Sequence, residues 1–181
     1  VCTVLEAIPA PIPVPVAFVQ HISPGFVDGF ANWLSQMTGH EVVVTEGSVT
    51  MEPGKVYLPC DDHHLKVMAP NTIAAVKTGD PDLQRPSVDV LFESAAEHLR
   101  ESVIAVLMTG MGRDGAHGLA KLYRKRALTI AQRPDTCAVD GMPSSAIEAG
   151  VVNRVLTPDS IGELLRSELG QPIPWINPGQ K

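Results

Sequence analysis

Two polar residues close apolar runs at positions where they could act together. His21 ends "VPVAFVQH" (14–21), and Asp114 lies in "VLMTGMGRDGAHG" (106–118), where an apolar run enters a loop holding four glycines. In an open parallel sheet, reactive groups gather where strands end at their carboxyl edge. A histidine and an aspartate delivered from neighbouring strand ends can form the base–orienter pair of an acyl-transfer triad. The carboxylate fixes the imidazole tautomer and stabilises the imidazolium formed when the ring takes a proton. Glycines let the loop turn sharply and leave backbone N–H groups facing a developing oxyanion. Each residue also has a plainer reading. A histidine at a strand end is commonly a hydrogen-bonded structural residue, and an aspartate ahead of a helix is an N-cap.

Other candidates carry less. His63 and His64 look like a metal pair, but adjacent strand residues point to opposite faces, which ranks a metal hydrolase built on them with Asp61 and Asp62 low. No metal site is expected. His98 and His117 fall on helices at positions read as solvated. Cys60 and Cys137 have no helix-start signal behind them and read as inert thiols. Ser23, Ser144 and Ser145 read as helix caps rather than as an activated nucleophile, which needs a strand-to-helix elbow with free approach to a base.

The elements that must position His21 and Asp114 follow from periodicity. Val1, Val4, Leu5 and Ile8 have helical spacing, and Val14 to Val19 predicts a short buried strand fed by the proline-rich 8–16 stretch. Phe26 to Met37 carries Phe26, Phe30, Trp33, Leu34 and Met37 at helical spacing. Strands are expected at 41–46 and 54–59, and a hairpin at 63–68 and 72–78 around "APN". A helix over 85–101 is capped by Ser87 and buries Val90, Leu91, Ala95 and Leu99. Then come a strand at 103–108, a helix at 115–125, a strand at 127–132, a helix at 142–150, a strand at 151–156 and a helix at 157–169. This order predicts an α/β fold, a doubly wound, mostly parallel sheet with a small antiparallel hairpin excursion. The tail at 171–181 reads as extended or frayed.

Composition narrows the function classes. With 44% hydrophobic residues over 181 positions the chain can bury one sizeable core. A net charge of −6 and the absence of a basic run leave a nucleic-acid partner without electrostatic support. No apolar stretch approaches membrane-spanning length, so no membrane insertion is expected. Three cysteines without CxxC spacing argue for a reducing, cytoplasmic compartment.

With both strand ends in view, the sequence resembles the catalytic domain of the CheB-type chemotaxis methylesterases. The matching stretches are "VQHISPGF" (19–26), "PGKVYLPCDDHHL" (53–65), "RPSVDVLFESAA" (85–96), "VLMTGMGRDGAHGL" (106–119), "TIAQ" (129–132) and "GMPSSAIEAGVVNRVL" (141–156). They come in family order and span most of the chain. The resemblance implies hydrolysis of glutamate γ-methyl esters on chemoreceptors and, in many members, glutamine deamidation. It implies no cofactor. By position, His21 and Asp114 match the family's triad histidine and aspartate, and Met111 matches the loop residue whose N–H helps form the oxyanion hole. Arg85 and Ser87 fall in a segment near the family's active-site cleft, as wall or substrate-side residues. Chemoreceptor cytoplasmic helices are the implied partner, with a response-regulator receiver domain as another.

One departure stands out. The family's nucleophile is a serine in a Gly/Ala-Ser-Thr/Ala-Gly-Gly turn between its first strand and first helix, and that motif does not occur here. The sequence starts inside what should be the following helix. Residues 1–170 are therefore expected to be a methylesterase-like domain lacking its beginning, with the nucleophile unassigned and the chain alone nearly inactive. The rival expectation is an inactive relative serving as a binding or regulatory module.

Overall fold

The structure, a computed structural model, describes residues 1–77 and 84–170. The first part of the chain forms α1 (Cys2–Glu6), β1 (Val16–Ala17), α2 (Val27–Thr38) and β2 (Glu41–Thr45). Then follow β3 (Ser48–Thr50), β4 (Lys55–Pro59), β5 (His64–Ala69), β6 (Thr72–Val76) and α3 (Val88–His98). The remainder is β7 (Ile104–Leu107), α4 (Ala116–Arg124), β8 (Leu128–Gln132), α5 (Gly141–Glu148), β9 (Arg154–Leu156) and α6 (Pro158–Leu169). Two three-stranded parallel sheets, ordered β1-β4-β2 and β7-β8-β9, accompany a three-stranded antiparallel sheet ordered β3-β6-β5. The α/β class with parallel pairing agrees with the expectation. The antiparallel part is larger than the expected hairpin, because Ser48–Thr50 adds a strand alongside β6.

The β7-β8-β9 sheet is covered on both faces, and strand periodicity explains how. Ala105 and Leu107 of β7 join one core with Leu91, Phe92 and Ala95 of α3, Leu119 and Leu122 of α4, and Met142 and Ala146 of α5. Ile104 and Val106 point the other way, joining Ile130, Val4 of α1 and Ile161 of α6. α6 starts cleanly: Thr157 accepts from the Ser160 amide and Pro158 occupies the first turn. The antiparallel sheet closes on α3 through Leu65, Val67 and Ile73, and Ser94 Oγ accepts from the Val67 amide at 3.0 Å where β5 is an edge strand.

Several elements depart from the expected bounds for local reasons. Only Val16 and Ala17 pair in β1, half-buried, because Pro9, Pro11, Pro13 and Pro15 supply no amide hydrogens before them. α2 buries Val27, Ala31 and Leu34, whereas Phe26, Trp33 and Met37 are exposed. Its N-cap is Phe26 rather than Ser23, whose carbonyl accepts from the Phe26 amide. α3 is shorter than 85–101 and rotated toward Val88, Leu91, Phe92 and Ala95; Arg100, at φ +54°, takes the chain out of α-geometry. Ser144 and Ser145 lie inside α5 rather than capping it, the N-cap being Asp140. β9 begins only at Arg154, because Asn153 Oδ1 takes both the amide and the hydroxyl of Thr129, each at 2.8 Å. Thr78 of the expected hairpin and the tail 171–181 lie outside the described residues.

Candidate active site

Asp114 does not cap the helix that follows it; its carboxylate binds the first turn of a helix remote in sequence. The helix that follows it, α4, is capped by Gly115 with no side-chain bond. Gly115 sits at φ +92°, and a Cβ there would lie 2.6 Å from Leu107 Cδ1, so both backbone and space require glycine. This turn swings the Asp114 carboxylate onto the start of α3. Oδ1 accepts from Ser87 Oγ at 2.8 Å and from the Asp89 amide at 2.9 Å. Oδ2 accepts from the Val88 amide at 2.7 Å and faces His21 Nε2 at 2.8 Å. Ser87 is the N-cap of α3 and accepts from the Val90 amide while donating to Asp114.

These contacts set the electrostatics. Burial alone would raise the Asp114 pKa, but the His21 bond, the Asp89 and Val88 amides and the Ser87 hydroxyl together bring it down to about 2. The positive end of α3 adds in the same direction. An ionised carboxylate only accepts, so the bond requires the proton on His21 Nε2. Among the described residues Nδ1 has no hydrogen-bond partner. The two side chains are each 21% exposed, so the pair is reachable from solvent through one edge.

A second layer backs the pair. His64 is fully buried, and its Nδ1 accepts from the Ser87 amide at 3.2 Å, tying the N-cap residue from behind. Burial, then the Arg85 charge, lowers the His64 pKa, which keeps it a neutral acceptor. Ser87, expected on the substrate side, is buried and committed to Asp114. Arg85 lines a cleft with Gln20, Ile22 and Cys60, its Nε donating to Asp62 Oδ1 at 2.9 Å. Met111 stands 81% exposed on the glycine loop, and the amides of Met111 and Gly112 have no acceptor among the described residues.

The remaining candidates stay apart from this centre. His63 precedes β5, and its Nδ1 lies 3.2 Å from Cys60 Sγ and 2.7 Å from the Asp61 carbonyl. His98 is exposed, and His117 pairs with Glu93 at 2.7 Å. Burial raises the thiol pKa of Cys60 and of Cys137, which disfavours the reactive thiolate. Among the described residues no histidine, cysteine and carboxylate group has metal-holding geometry, and no serine bonds to His21. The supporting roles of His64 and of the Val88 and Asp89 amides were not anticipated. For His64 the readable signal was its place next to His63 in a strand, which argued only against chelation.

Over most of its length the chain matches a known family. The family model described as CheB methylesterase matches residues 1–165. This chain belongs to the CheB methylesterase family. The protein-glutamate methylesterase/protein-glutamine glutaminase 3 of Hahella chejuensis is 42% identical over 161 residues, which cover 89% of this chain and 46% of that protein. Protein-glutamate methylesterase FrzG of Myxococcus xanthus is 42% identical over 167 residues, covering 91% and 49%. The crystal structure of the Thermotoga maritima CheB methylesterase catalytic domain superposes with a TM-score of 0.87 at 34% identity, covering 92% of this chain and 90% of that one. The chain thus spans about half the length of the curated relatives it matches, and nearly all of one CheB catalytic domain.

Proposed function

We propose that this chain is the hydrolytic part of a protein-glutamate methylesterase working by acyl transfer. The observation that carries the reading is the Asp114 carboxylate, shared between His21 Nε2 and the N-terminus of α3. An anion held there keeps the imidazole oriented and stabilises its protonated form, leaving Nδ1 as the base. A serine supplied by the natural protein from outside these residues attacks the γ-carbonyl carbon of a glutamyl methyl ester while Nδ1 takes its proton. The tetrahedral oxyanion faces the Met111 and Gly112 amides. Collapse releases methanol, protonated by His21, and leaves a glutamyl ester on the serine. Water, deprotonated by the same nitrogen, hydrolyses that ester and regenerates the serine. With a glutamine side chain, ammonia leaves in place of methanol.

The substrate in this reading is the cytoplasmic helical region of chemoreceptors, and a receiver domain is the regulatory partner. Arg85, held by Asp62 in the cleft beside Gln20 and Ile22, serves as a substrate-side cation. No described helix is long and apolar enough to cross a membrane, and all three cysteines are free, which fits cytoplasmic work. The test is His21→Ala in the full-length protein, with methanol release from methylated receptor as the assay. Turnover is expected to fall by about 10³-fold or more. Wild-type turnover in that variant rejects the proposal.

A further inference from the structure

The oxyanion loop is not held by its own strand. It is clasped by the connection between β8 and α5, which contributes nothing to the His21–Asp114 pair. Three ties converge on it. Gln132, buried at the carboxyl end of β8, accepts from the Thr109 amide through Oε1 at 3.0 Å and donates through Nε2 to the Thr136 carbonyl at 2.9 Å. Thr109 Oγ1 makes a reciprocal pair with Val139, donating to its carbonyl at 2.8 Å and accepting from its amide at 3.0 Å. The Gly110 amide donates to the same Val139 carbonyl at 2.9 Å, and the Gly110 carbonyl accepts from the Met142 amide at 2.9 Å.

Gly141 completes the clasp by having no side chain. A Cβ built on it would stand 2.9 Å from Gly112 N, closer than real Cβ contacts come, and a tight 3.0 Å from Gly112 O. Its φ is not in the left-handed region, so conformation does not demand glycine there; the approach of the Gly112 backbone does. The loop needs such bracing. Gly110 and Gly112 flank Met111, and glycines give up the most conformational freedom on ordering. Donors serve an oxyanion only when already fixed where the charge will develop.

We infer that Thr109, Gln132 and Gly141 are positioning residues that set the Met111 and Gly112 amides for the oxyanion. The inference rests on the acyl-transfer reading above. It places the control of oxyanion geometry in the β8–α5 connection, separate from the α3 N-terminus that controls the base.

The test uses the full-length protein and three variants: Thr109→Val, which removes both Val139 bonds at constant shape; Thr109→Ser, which retains the hydroxyl; and Gly141→Ala. Thr109→Val and Gly141→Ala are expected to lower kcat about 10- to 100-fold with KM held within about threefold, since one oxyanion donor carries about 10²–10³ in rate. Amide NMR signals of Met111 and Gly112 should move in both variants, while the His21 ring signals stay in place. Thr109→Ser should return kcat to within about threefold of wild type. Should Gly141→Ala fail to fold, Thr109→Val carries the test, since Thr109 is exposed. Unmoved Met111 and Gly112 amides in Thr109→Val overturn the inference. So does a moved amide with unchanged kcat, or a rate loss that appears only as raised KM. A wild-type protein without hydrolytic activity rejects the acyl-transfer reading instead, and with it any oxyanion role for the clasp.

Discussion

Replacing Asp114 by asparagine tests the central arrangement most directly, because every neighbour of the carboxylate is a donor. Oδ1 takes the Ser87 hydroxyl and the Asp89 amide; Oδ2 takes the Val88 amide and His21 Nε2. Asparagine offers one accepting oxygen. If its NH₂ replaces Oδ1, it confronts the Asp89 amide; if it replaces Oδ2, it confronts the Val88 amide and forces His21 into the other tautomer. Either orientation strands a part-buried backbone donor, at about 1–3 kcal/mol. Losing the anion at the start of α3 adds about 0.3–1 kcal/mol. The expected destabilisation at pH 7 is therefore about 1–4 kcal/mol.

Proton linkage gives an independent figure. Lowering the Asp114 pKa from 3.8 to about 2 corresponds to about 2 kcal/mol of stability. The folded-state pKa is the depressed one, so this stability is fully present above about pH 4 and drains away as pH falls through about 2. Urea denaturation of wild type and Asp114→Asn at pH 7 and pH 2 is the assay. The gap should be about 1–4 kcal/mol at pH 7 and much smaller at pH 2. A gap below about 0.5 kcal/mol at pH 7, the scatter expected of a neutral surface substitution, or one equal at both pH values, refutes the reasoning. In the full-length protein the same substitution should lower kcat by up to about 10⁴-fold, the full loss belonging to the orientation that forces the wrong tautomer.

Two further outcomes follow from the same contacts. Ser87→Ala removes the cap on the Val90 amide and one donor to Asp114, and should cost about 1–2 kcal/mol in chemical denaturation with a roughly tenfold loss of kcat at constant KM. Gly115→Ala meets both a left-handed backbone and Leu107 Cδ1 at 2.6 Å, and should cost about 2–5 kcal/mol, read as a fall in the denaturation midpoint. A Gly115→Ala protein as stable as wild type would mean that the turn delivering Asp114 is not under the constraint described.

Much of the architecture was readable because it is local. The apolar run at 103–108 and the strand segment at 127–132 belong to strands covered on both faces, and the helical spacing at 157–169 matches α6 closely. Misreadings arose where one pattern serves two purposes. Phe26, Trp33 and Met37 have the spacing of a core stripe, yet they are exposed while smaller Val27 and Ala31 are buried. Spacing places residues on a common face and does not say which face the rest of the molecule covers. Asn153 shortened β9 by substituting its side chain for a ladder bond, an exchange that polar composition does not announce.

At the site, the division follows sequence distance. The chain by itself determined that His21 and Asp114 follow apolar strand segments, that a glycine loop surrounds Asp114, and that Ser87 starts a helix, since each depends on neighbours within a few residues. Only the tertiary structure decided that Asp114 binds the first-turn amides of α3 instead of capping α4, that His64 steadies Ser87, and that Gly141 leaves room for Gly112. Those are contacts between groups 23 to 29 residues apart in the chain. Local propensity specifies backbone conformation, whereas the direction of a hydrogen bond between two elements is set by how their shared core packs.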